Sequence, residues 1–127
     1  MPSASIVSRA FELHTVVPAF NVSYLPQVEP IVRALRDTQT VGMVAVARPD
    51  WEKFGAGSPR EVRDEYERHK HAPFTWLHLD HVPVVDEDNR RVDFMSIISE
   101  AIELGYQSVM VDASRLPFEQ NIAATQQ

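Results

Sequence analysis

The stretch Phe74-Thr75-Trp76-Leu77-His78-Leu79-Asp80-His81 is a short apolar run that ends abruptly in one carboxylate and two imidazoles. Its length and continuity predict a strand buried on both faces, as in a parallel sheet. The polar residues then fall at the C-terminal end of the strand, the end where parallel α/β architectures carry out chemistry. Side chains alternate along a strand, so Trp76, His78 and Asp80 share one face while Leu79 and His81 share the other. Asp80 and His81 can therefore serve one site only if the strand finishes near Leu79. A histidine beside a carboxylate offers a metal ligand and a proton carrier within one peptide unit. The plainer reading is a polar surface turn.

Outward from this stretch, the chain alternates apolar runs with amphipathic segments. Residues 41–47 form a second continuous apolar run, bounded by Thr40 and Arg48-Pro49, and predict a second buried strand. Residues 16–20 predict a first strand, weakened by Pro18, which cannot donate to a ladder, with Asn21 at its C-terminal end. Residues 106–111 predict a fourth, followed by Asp112-Ala113-Ser114. Between the strands, Val28, Ile31, Val32 and Leu35 fall at i, i+3, i+4 and i+7, the pattern of a helix with one buried face, starting near Glu29. Residues 48–57 read as a turn-rich loop. Ser58-Pro59-Arg60-Glu61 is a capping box with proline at the first helical position, and opens a helix that buries Val62 and Tyr66. Asp93 caps a further helix whose Phe94, Ile97, Ile98, Ala101 and Leu104 line one face before Gly105 ends it. A lead-in helix over residues 6–14 and a last helix from Leu116 complete the series. Repeated strand–helix alternation predicts parallel, right-handed βα units. Asn21, the His78-Asp80-His81 group and Asp112-Ser114 then share one rim.

Composition narrows the function classes. With 127 residues the chain is long enough to bury one core as a single domain spanning residues 1–127. The formal charge of −6 argues against nucleic acid or an anionic membrane as partner, because such binding depends on Lys and Arg neutralising phosphates. There is no cysteine, so disulfides and thiolate metal sites are excluded, and any metal must be held by His, Asp and Glu. No apolar run approaches the roughly 18 residues that span a bilayer, and a cytoplasmic location is the expectation. Residues 82–91 form an acid-rich loop without the EF-hand spacing or its glycine, so a solvated loop is favoured over a calcium site. His14, His69 and His71 read as structural or surface histidines.

The segments Ala19-Phe20-Asn21-Val22, His78-Leu79-Asp80-His81, Gly105 to Ser114 and Leu116-Pro117-Phe118-Glu119-Gln120-Asn121-Ile122-Ala123-Ala124-Thr125 resemble, in order and neighbourhood, the class II, metal-dependent fructose- and tagatose-bisphosphate aldolases. That family is built on a (β/α)8 TIM barrel, so the resemblance implies an α/β fold made of the first four βα units, a half barrel. It implies an aldehyde-lyase that cleaves a ketose bisphosphate, a small sugar phosphate, into dihydroxyacetone phosphate and an aldehyde. By the same resemblance His81 looks like a ligand of a catalytic Zn2+, Asp80 like the acid/base at the bond being cleaved, and Asp112 like a ligand of a second position for a divalent or monovalent cation. Asn21 matches a residue lining the substrate. His78 and Ser114 fit supporting roles around these groups, His78 holding Asp80 or His81. A divalent ion chelating an enediolate can replace the Schiff base of lysine-dependent aldolases.

The chain also departs from the family pattern. Ala47-Arg48 stands where members carry a serine past the second strand, which makes Arg48 a candidate anion contact. Val82-Pro83 replaces a glycine after the His-Leu-Asp-His segment. A barrel of this class takes roughly 250 residues, so the chain reads as the N-terminal half of a longer aldolase, inactive alone. Two other readings stand beside it. One is a non-catalytic half barrel whose unpaired edge strands drive assembly into a homo-oligomer; the other is a different metal-dependent barrel enzyme, such as an isomerase.

Overall fold

In a computed structural model of the chain, which describes residues 3–127, the four expected strands form one parallel sheet. Helix α1 (Ser3–Glu12) precedes β1 (Ala19–Asn21), α2 (Val28–Asp37) and β2 (Gly42–Ala47). A short helix α3 (Arg48–Glu52) then leads to α4 (Pro59–His69), β3 (Thr75–Pro83), α5 (Phe94–Glu103), β4 (Ser108–Asp112) and α6 (Phe118–Thr125). The strand order is β1-β2-β3-β4, with every neighbouring pair parallel. These are the first βα units of a barrel wall. Among the described residues, β1 and β4 each pair on one side only.

One face of the sheet carries the core. Val44, Val46, Leu77 and Leu79 pack with Val28 and Val32 of α2, Val62 and Tyr66 of α4, and Ile98 and Ala101 of α5. Alternation turns Ala45, His78 and Asp80 to the opposite face, the concave side of the wall. Register ties this face into a row: Asn21 aligns with Ala45, Ala45 with His78, and His78 with Ser108. At the start of β2, a Cβ on Gly42 would lie 2.8 Å from Leu35 Cδ2, so the glycine lets α2 close onto the sheet.

The caps form as the sequence predicts. Ser58 Oγ accepts from Glu61 N, while the Glu61 carboxylate accepts from Ser58 N. Asp93 accepts from Ser96 N. Gly105, at φ 88°, closes α5, with Gly105 N donating to Ile102 O and Tyr106 N to Ala101 O.

Two expectations need correction. Residues 48–57 are not all loop, because α3 occupies their first half. Asp50 reaches back to accept from Ala47 N at 2.8 Å, and Arg48 pairs with Glu52 one turn on. The central strand also does not finish near Leu79 but continues to Pro83. Leu79 pairs with Val109 and Val82 with Val111, so β3 holds one residue more than β4 over the same span. Both Leu79 and Val82 are fully buried in the same core although they lie three positions apart, which strict alternation forbids. The extra residue is absorbed at His81, whose φ of 43° is left-handed.

Candidate active site

This bulge builds the site. Asp80 keeps the concave direction set by its pairing with Ala47, and the left-handed turn at His81 brings the imidazole round to the same rim. Terminating the strand is therefore unnecessary. The sequence-level parity conflict is solved by inserting a residue, a device concentrated near active sites.

Around Asp80 the contacts are close. Asn21 Nδ2 donates to Asp80 Oδ2 at 3.0 Å, across 59 positions of sequence. The other carboxylate oxygen lies 3.6 Å from His78 Nε2 and 3.8 Å from His81 Nε2. His78 is held by its second nitrogen, with Nδ1 2.8 Å from Ser108 Oγ. Asp80 is thus fixed by one hydrogen bond and flanked by two imidazoles, with its side chain largely buried. Ser108 is the supporting contact that sequence reasoning passed over. The signal available for it was its register opposite His78, which needs the strand pairing to be known.

His81 Nδ1 meets Asp112 Oδ2 at 3.1 Å, and Asp112 Oδ1 accepts from Ser114 N at 3.0 Å. The bond to Asp112 raises the His81 pKa above the ordinary imidazole value, against an opposing effect of burial. Hydrogen bonds from Ser114 lead in holding the Asp112 carboxyl below its usual range, with His81 adding to them. The histidine half of this pair stabilises the fold below the unfolded imidazole pKa of about 6.5 and is lost as pH rises through the raised folded value. The Asp112 half is present above the unfolded carboxyl pKa of about 3.9 and is lost as pH falls through the lowered folded value. An NMR titration of the metal-free chain should place the His81 midpoint above that of a free imidazole, and Asp112→Asn should bring it back down. A His81 midpoint unmoved by that substitution would show that the pair does not form.

Arg48 goes elsewhere. Its guanidinium pairs with Glu52 at 2.9 Å and Asp86 at 3.4 Å, so its charge is spent tying α3 to the loop after β3. Asp86 organises that loop by also accepting from the backbone N–H of Asp88 and Arg90, the latter leading in lowering its pKa. The next residue, Glu87, pairs with Lys53. The acid-rich loop is therefore engaged by its own backbone and by two cations. A cleft of about 290 Å³ opens at the C-terminal ends of the strands, with Asn21, Asp80, His81 and Asp112 in its lining. Arg115, not singled out in the sequence, lines it too.

A metal at this rim needs a full donor set, and zinc takes about three protein ligands plus water at a catalytic site. Among the described residues no three His, Asp or Glu side chains gather closely enough to hold an ion. His81 and Asp112 are donors of the right chemistry, but alone they do not fit a closed zinc site.

The fold and rim define a parallel βα half barrel with its polar residues at the strand C-termini, and a known structure shares the fold. A fructose-bisphosphate aldolase from Campylobacter jejuni superposes with a TM-score of 0.68 over 97% of this chain and 40% of its own, at 16% identity, which is likeness of fold. The D-tagatose-1,6-bisphosphate aldolase subunit GatY of Klebsiella oxytoca is 26% identical over 121 residues, covering 95% of this chain and 39% of that protein. The chain thus spans about two-fifths of the length of these relatives. Residues 2–127 match the family described as fructose-bisphosphate aldolase class-II, and the chain belongs to that family. No helix among the described residues is long and apolar enough to cross a membrane.

Proposed function

We propose that this chain supplies the first four βα units of a zinc-dependent ketose-bisphosphate aldolase, and that Asp80 is its acid/base. The observation that carries the reading is the convergence of Asn21, Asp80, His81 and Asp112 on one cleft at the sheet's C-terminal rim. In cleavage, Asp80 takes the proton from the substrate hydroxyl beside the breaking carbon–carbon bond. That oxygen becomes the aldehyde carbonyl, and the bonding pair passes to the ketone fragment, which takes up a proton at that carbon and leaves as dihydroxyacetone phosphate. Asn21 holds one Asp80 oxygen by its hydrogen bond and so aims the other at the substrate. His78, braced by Ser108, walls the opposite side of the carboxylate.

His81 and Asp112 are this chain's contribution to the zinc site and its neighbouring cation position, and further donors must join them from outside the described residues. Cleavage assays on a panel of ketose phosphates, with and without a chelator, test the reading in the protein that carries this chain. Cleavage abolished by chelator and restored by zinc is expected; chelator-insensitive turnover, or isomerised rather than cleaved product, would overturn it.

A further inference from the structure

The cleft is rich in carboxylates, yet the ligand expected there is an anion. Asp80, Asp86, Glu87 and Asp112 all line it. Asp86 and Glu87 are already matched by Arg48 and Lys53, and Asp112 is hydrogen-bonded to His81. Asp80 has no lysine or arginine partner in this chain, so beyond the ion that His81 and Asp112 would help to hold, a dianionic ligand calls for a side-chain cation facing the cleft.

The cations of the chain are mostly committed elsewhere. Arg9, Arg33, Arg36, Arg48, Lys53, Arg63, Arg68 and Lys70 each pair with a carboxylate. Among the described residues, Arg60, Arg90, Arg91 and Arg115 make no ion pair, and of these Arg115 alone lines the cleft. Its backbone is held in place. Leu116 N donates to Ala113 O at 2.9 Å, closing a turn with Ser114 and Arg115 at its centre. The Asp112 carboxylate accepts from Ser114 N within the same turn, and Ala113 beneath it is buried. The turn is thus fixed to the Asp112 end of the site while the Arg115 side chain stays exposed.

We propose that Arg115 is the specificity-determining residue that receives the anionic end of the substrate, a phosphate monoester. This rests on the aldolase reading above. A guanidinium presents a planar fork that matches phosphate oxygens in pairs, which a lysine's point charge does not. Arg115 takes the anion-binding task for which Arg48 was the sequence candidate, because Arg48 is consumed by Asp86 and Glu52.

The test compares dihydroxyacetone phosphate with dihydroxyacetone, titrated into this chain and followed by NMR. The wild-type chain should prefer the phosphorylated ligand. Arg115→Gln should weaken that ligand by about ten-fold, the scale of one charge-assisted contact, and leave dihydroxyacetone unchanged. Arg115→Lys should fall between them. Arg60→Gln, which removes the same charge from the start of α4, should behave as wild type. The proposal is overturned if Arg115→Gln keeps its affinity, if Arg60→Gln loses as much, or if the wild-type chain shows no preference for phosphate. Turnover separates the two readings: cleavage with an unchanged KM in Arg115→Gln removes the role of Arg115 and keeps the aldolase. A protein that cleaves no ketose phosphate removes the aldolase, while the binding contrast still judges Arg115.

Discussion

Asp80→Asn is expected to lower kcat for aldol cleavage by about 10²–10⁴-fold, the usual contribution of a positioned acid/base group, with KM nearly unchanged. The amide has the shape of the carboxylate, and its oxygen can still accept from Asn21 Nδ2, so the local structure is preserved. What it loses is a lone pair basic enough to take the substrate proton. Asn21→Ala should produce a smaller loss, because it frees Asp80 to rotate without changing its chemistry. The order of the two effects is the informative part. If Asn21→Ala costs more than Asp80→Asn, the asparagine rather than the carboxylate is the group acting on substrate. Steady-state kinetics of both variants, with circular dichroism to confirm the fold, measure this.

What could be read from the sequence was whatever local chemistry dictates. Ser58 and Glu61 specify their cap within four residues, and Asp93 does so with Ser96. The apolar runs at β2 and β3 read as buried strands, and the helices between them pointed to a parallel sheet, as found. Features that depend on two distant segments were hidden. Helix α3 rests on Asp50 turning back to Ala47, a contact that a proline-containing, turn-rich composition masks. The bulge at His81 is visible only once β4 is aligned, because it is defined by a mismatch of count between two strands. Arg48 drew the anion-contact reading from its place where the family carries a serine, although Arg115 is likewise an arginine just beyond a strand. Only the partners of Arg48, one of them 38 positions away, separate them.

Leu79→Ala is expected to destabilise the chain by about 2–5 kcal/mol, the range for truncating a fully buried leucine where neighbours relax only in part. Leu79 has no exposed surface and sits on β3, which is paired on both sides, immediately before the bulge. Against a total stability of about 5–15 kcal/mol the loss is large. At a urea m-value of about 1–3 kcal/mol/M it moves the unfolding midpoint by about a molar unit or more. Met110→Ala supplies the contrast. Met110 lies on β4 on the concave face, is 41% exposed, and leaves little cavity, so it should cost under about 1 kcal/mol. The pair of substitutions asks which face of the sheet holds the core. Equal losses would mean that the concave face is also packed, with no room at its rim for a substrate. A large loss at Leu79 alone places the core on the helix side and leaves the face carrying Asp80 free to do chemistry.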